Sequence, residues 1–147
     1  MSKLFLIATM LMLSVTLSQA APDKAEIIKE LMNTMETCKG EAGASDTDID
    51  EMIKQVAASS KEGKCLRVCL MKKYGVVDNN GKFVKSVAMK QAQEYLGDEA
   101  DKLKVTEKII DACANIAVPD NHCEAAEVYG KCFMEQGKAH GMEKFTF

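Results

Sequence analysis

The chain has 147 residues, 47% hydrophobic and 28% charged, with six Cys, two Pro and no Trp. That length supports one globular domain, and the low Pro content and ordinary charge exclude a disordered or collagen-like chain. A formal charge of −3 and a pI near 5.5 argue against nucleic acid as a partner, which calls for a basic face.

Residues 1–20 read as a secretory signal peptide. Lys3 supplies the positive start, Leu4 to Leu17 is almost wholly apolar, and Ser18 and Ala20 put small residues at the −3 and −1 positions of a cut. The apolar run of about 14 residues is short of the ~20 that a helix needs to cross a bilayer. No later stretch is apolar enough to span a membrane, so stable membrane insertion is not expected. The expected mature domain is residues 21–147. Removing the leader takes away one lysine and no acid, leaving a slightly more acidic chain. All six Cys survive the cut and meet an oxidising compartment, where an even number in a small secreted chain reads as three disulfides.

Apolar residues recur with helical period, and alternating runs are absent. Ile27, Ile28, Leu31, Met32 and Met35 form a first stripe, ending near Cys38 and Gly40. Ile49, Met52, Ile53 and Val56 form a second. Cys65, Leu66, Cys69, Leu70 and Tyr74 form a third, stopped by Gly75. Asp78, Asn79, Asn80 and Gly81 make a turn, because Asn and Gly tolerate positive φ. Val84, Val87, Ala88, Gln91 and Tyr95 mark a fourth helix ending at Gly97. Asp98 is placed to cap a fifth, carrying Leu103, Ile109, Ile110 and Cys113 and broken by Pro119. Asn121 has cap spacing for a sixth, closed by Gly137. The fold class is all-α.

Six Cys allow fifteen pairings. Cys65 and Cys69 lie one turn apart on one helix, too far between Cβ atoms for a disulfide. Cys123 and Cys132 are two and a half turns apart on the sixth helix and cannot join. Ten pairings remain, with the sixth helix stapled to two different neighbours.

The gaps between successive Cys are 26, 3, 43, 9 and 8 residues. This spacing resembles the six-cysteine pattern of insect odorant-binding and pheromone-binding proteins, whose rigid gaps are the three and the eight. The 43-residue gap is at the long end for that family. Tyr74 and Gly75 through Asp78, Asn79, Asn80, Gly81, Lys82 and Phe83 also resemble the family's turn between third and fourth helices. The resemblance implies the pairings Cys38–Cys69, Cys65–Cys123 and Cys113–Cys132, all among the ten left open. It further implies a compact six-helix, disulfide-stapled bundle around an internal hydrophobic pocket. Its implied function is a secreted carrier of small hydrophobic ligands such as odorants or pheromones, in olfactory or in reproductive, salivary or haemolymph fluid. A membrane receptor is a further partner it allows, with the carrier a monomer or a homodimer. No catalytic residue carries over, and no cofactor is expected.

The lining expected from the inward stripes is Met52, Val56, Leu70, Tyr74, Val84, Val87, Ala88, Ile110, Val128 and Phe133. Phe133 is fixed beside Cys132, and the Tyr74 hydroxyl is available to an alcohol, aldehyde or ester. Mature-chain methionines supply adaptable surface. Phe145 and Phe147 fit a C-terminal tail that folds back as a lid, as in related proteins.

Other clusters read as structure. Asp46, Asp48 and Asp50 copy the start of a calcium loop, but Glu51 stands where Gly is needed and Ala57 where Glu is needed. They suit the first turn of a helix, and no metal is expected. His122 and His140 lack partners at catalytic spacing. Lys102, Lys104 and Lys108 form a solvated face. No hydrolase motif appears, so an enzyme is not expected. The rival classes are a saposin-type membrane-active protein, which needs paired C-x-x-C ends, and a small phospholipase, which needs a glycine-rich calcium loop. Neither feature is present.

Overall fold

Two half-cystines one turn apart on a single helix organise the molecule. The structure, a computed structural model, describes residues 24–142. The expected leader (residues 1–20) and the tail residues Phe145 and Phe147 lie outside the described residues. The helices are α1 (Lys24–Ala42), α2 (Asp46–Ile53), α3 (Lys61–Lys73), α4 (Lys85–Leu96), α5 (Ala100–Ala114) and α6 (His122–Ala139). Outside them, Val77 and Phe83 form an antiparallel bridge.

The helix ends are set by backbone geometry that periodicity does not show. Lys54 is the C-cap of α2 and Gln55 follows with φ of 55°, so Val56 falls outside the helix. Glu99, rather than Asp98, is the N-cap of α5, which ends at Ala114, short of Pro119. α6 runs through the buried Gly137 and stops at the left-handed Gly141, φ 72°. There the Met142 N–H donates to the Gly137 carbonyl at 2.8 Å.

α3 packs against α1, α2 and α6, while α4 packs on α5 and α5 on α6. Disulfides follow the same contacts. Cys38–Cys69 joins α1 to α3, Cys65–Cys123 joins α3 to α6, and Cys113–Cys132 joins α5 to α6, with Cα separations of 5.6, 4.5 and 5.8 Å. Each closes a loop whose entropy in the unfolded chain makes the bridge worth about 3–4 kcal/mol.

The short α2 is anchored through Asp48, which is buried. Its Oδ2 accepts from the Ser45 N–H and the Ser45 hydroxyl, both at 2.7 Å, completing a capping box. Its Oδ1 accepts from the hydroxyl of Ser60, the N-cap of α3, which itself accepts from the Gly63 N–H at 2.8 Å. One carboxylate therefore ties together the starts of two helices. These bonds hold its pKa below the usual aspartate value, with the Ser45 hydroxyl the largest cause, then Ser60. Asp46 pairs instead with Lys39 and Asp50 lies 3.9 Å from Lys54, so the three acids do not converge on one point.

Two predictions follow from this hub. A Cβ on Gly63 would stand 2.6 Å from Asp48 Oδ1 and 3.2 Å from Ser60 Oγ, and the oxygen cannot retreat without breaking its serine bonds. Gly63→Ala should therefore destabilise by about 1–3 kcal/mol, seen as a lower Tm; an unchanged Tm would show that the approach is looser. The second concerns charge. Because the folded pKa of Asp48 is depressed, its stabilisation is fully present above the unfolded value near 3.8 and is lost as pH falls through the folded value. In urea melts, wild type should exceed Asp48→Asn at neutral pH, with the gap closing below about pH 4. A gap constant with pH would exclude the carboxylate charge as its source.

Candidate functional site

α3 divides the interior. Leu66 and Leu70 on one side pack with Met35, Cys38 and Ile49. Val68 packs with Val77, Ala125, Ala126 and Tyr129. The largest fully buried side chains among the described residues are Leu66, Ile109, Cys38 and Cys113, and two of these are half-cystines. Covalent bridges thus occupy much of the tightest core.

Many apolar side chains around that core stop half-buried. α4 has no buried residue, yet Val87, Ala88, Met89, Ala92 and Leu96 on it are all half-buried. Its middle is tethered to the C-cap of α3 through Gln91, whose Nε2 donates to the Tyr74 carbonyl at 2.6 Å. Lys85 also pairs with Asp111 of α5, which raises the Lys85 pKa, chiefly through that hydrogen bond.

The loop before α4 carries Phe83 inward. Asp78 Oδ1 accepts from the N–H groups of Asn80 (2.8 Å) and Lys82 (2.9 Å), an Asx turn. Gly81, at φ 75°, lies so close under the His122 ring that a Cβ there would collide with it. The Lys72 ammonium donates to His122 Nδ1 at 2.9 Å, fixing that ring at the start of α6. The loop is thereby clamped between α3 and α6, and the Phe83 ring centroid sits 5.6 Å from Tyr129 and 5.5 Å from Phe133. These are offset, tilted aromatic contacts.

The residues expected to line a pocket are distributed as follows. Leu70 and Ile110 are core residues. Val56 is 47% exposed on the loop after α2, where its carbonyl accepts from Arg67. Met52 and Tyr74 pack at the edge of the first cluster and Phe133 at the edge of the second. Val84, Val87, Ala88 and Val128 are half-buried. Phe83, Tyr129 and Met71, absent from that expectation, adjoin Phe133 in the second cluster. The signal for Tyr129 was its place one helical turn before Phe133, on the same face of α6. Phe83 had no comparable signal, because a loop has no period.

Two surface concavities lie elsewhere. One of about 420 Å³ is lined by Glu41, Ala42, Cys65, Val68, Cys69, Lys72 and Lys73. The other, about 460 Å³, is lined by Asp98, Glu99, Ala100, Asp101 and Lys102. Glu41 lies with Cys38 and Cys69 in a trio of metal-type donors, but those two sulfurs are bonded to each other and are not thiolates. Among the described residues, no helix is long and apolar enough to cross a membrane. His140 is exposed at the end of α6.

Comparison with known proteins places this arrangement. The PBP/GOBP family model matches residues 20–136. The chain is 47% identical over 120 residues to General odorant-binding protein 28a of Drosophila melanogaster, covering 82% of this chain and 84% of that protein. It is 36% identical over 106 residues to General odorant-binding protein 19d of the same species, covering 72% of this chain and 71% of that protein. The solved structure of the D. melanogaster odorant-binding protein dmelOBP28a superposes with a TM-score of 0.73, over 82% of this chain and 99% of that one. Six helices joined by three disulfides, with a family-model match and a similar sequence over most of the length, establish that this chain belongs to the PBP/GOBP family of insect odorant-binding proteins.

Proposed function

We propose that the protein is a secreted, non-catalytic carrier that holds a small hydrophobic molecule against the apolar side chains between α3, α4 and α6. The observation that carries this reading is α4, a helix with five half-buried apolar residues and none fully buried. Apolar area left part-exposed inside a fold is an unfavourable arrangement at roughly 25 cal/mol per Å², and an apolar guest covers it. The names of the two Drosophila relatives, both odorant-binding proteins, support the same class of ligand. The proposed contact set is Phe83, Tyr129 and Phe133 with Tyr74, Val87 and Ala88.

The disulfides suit this work. A cavity weakens a domain by about 24 cal/mol per Å³, and cross-links of about 3–4 kcal/mol each offset that loss without filling the space. A guest of ~15 heavy atoms at about 0.5 kcal/mol per atom binds with roughly 7–8 kcal/mol, which is micromolar. Such affinity allows both capture and release.

The test is displacement of a fluorescent apolar probe from the mature protein by long-chain alcohols, aldehydes and esters. Micromolar displacement is expected, with each competitor recovered chemically unchanged by mass spectrometry. Failure of all of them to displace the probe would overturn the carrier reading, and a modified competitor would overturn its non-catalytic part. Leakage from lipid vesicles at the same protein concentration would favour the saposin-type alternative instead.

A further inference from the structure

We propose that the groove between the end of α1 and α3 is a second binding site, separate from the interior, for a medium-chain carboxylate, with the Lys72 ammonium as its counter-ion. This goes beyond the carrier reading and does not rest on it. The groove encloses about 420 Å³, within the ~300–1,000 Å³ typical of small-molecule sites.

Its charge is unbalanced. Lys72 is half-buried and takes no part in the ion pairs among the described residues. Its ammonium donates to His122 Nδ1 at 2.9 Å, which uses one of its three N–H donors. The two other charges of the lining cancel, because Lys73 pairs with Glu41 at 2.8 Å. The groove therefore carries a positive charge without a counter-charge, on a chain whose formal net charge is −3. A cation drawn part-way out of water is unfavourable until an anion lies beside it, and the attraction is stronger there than in bulk solvent.

The rest of the lining defines the other end of the ligand. Cys65 and Cys69 are half-buried, and their sulfurs are held in disulfides, so they are not thiolates. With Ala42 and Val68 they give the floor an apolar surface. A carboxylate beside Lys72, with a short apolar chain along that floor, matches both features. A lipid bilayer does not. The exposed large apolar side chains among the described residues are Ile28, Met32, Ile53, Val56 and Tyr95, and none lines the groove; docking on a membrane needs such side chains to enter it. The occupant is thus a single free amphiphile.

The experiment follows the backbone amide resonances of the isotope-labelled mature protein during titration with sodium decanoate or 1-decanol, which share the same chain length. Decanoate should shift the amides of Ala42, Cys69 and Lys73, and decanol should leave them in place. Lys72→Gln keeps a donor for His122 Nδ1 but removes the charge, and should weaken the groove response to decanoate by about threefold to tenfold. Glu41→Gln, which removes the negative charge of the lining, should strengthen it. No groove shift with decanoate, an equal shift with decanol, or a response untouched by Lys72→Gln would overturn the site. Sedimentation with phosphatidylserine vesicles that Lys72→Gln abolishes, without a groove shift from free decanoate, would overturn it in favour of a lipid surface. Shifts around Phe83, Tyr129 and Phe133 report the interior separately: their absence with both ligands counts against the carrier reading and leaves the groove site standing.

Discussion

The covalent bracing of α3 is the constraint on which the rest depends. Cys65 and Cys69 sit one turn apart, so their side chains leave neighbouring parts of the same helix and reach α6 and α1 respectively. α3 is thus held on two sides by covalent bonds as well as by the two buried clusters packed on it. Cys113–Cys132 adds α5 to the same scaffold. With three helix pairs joined this way, the relative placement of α1, α3, α5 and α6 is fixed by covalent bonds in addition to packing.

Polar contacts do the positioning that the disulfides leave undone. α2 and α4 carry no cystine. Asp48 ties α2 to the start of α3 through two serines. Arg67 and Glu127, 3.2 Å apart and mostly buried, hold α3 to α6, and Glu127 also accepts from the Ala58 N–H at 3.1 Å. Arg67 Nε has no partner among the described residues, in keeping with a buried pair that specifies arrangement more than it adds stability. α4 is tied to the C-cap of α3 through Gln91 and to α5 through Lys85, while its apolar residues stay half-buried. The clamped loop at Gly81 then decides where Phe83 goes, and with it the aromatic wall.

A carrier needs little chemistry and much surface. The half-buried apolar residues of α4 are aliphatic or methionine, which accommodate varied shapes. The charged groups sit mostly at helix ends and outer faces, where exposed pairs such as Lys90–Glu94 at 3.8 Å add little to stability. They keep the protein dispersed in water. The fold divides the structural labour between sulfur for the frame and carboxylates for the joints.

Local regularity explains which features could be read in the chain and which could not. Helix number and approximate position follow from apolar period, and two cystine pairings were excluded by helix geometry alone, since both depend on residues close in sequence. The three-residue and eight-residue gaps made the family recognisable for the same reason. Val56 was assigned to a helix because its spacing continued the pattern; only the positive φ at Gln55 ends that helix. Leu70 and Ile110 satisfied the same inward pattern as Tyr74 and Phe133, yet packing buries the first two and leaves the others at an edge. Apolar period reports which face turns inward, not whether another side chain meets it there. The sequence by itself therefore determined the helices, the cysteine framework and the family. The meeting of Phe83 with Tyr129 and Phe133 was decided only by tertiary structure, because it depends on groups brought together from distant parts of the chain.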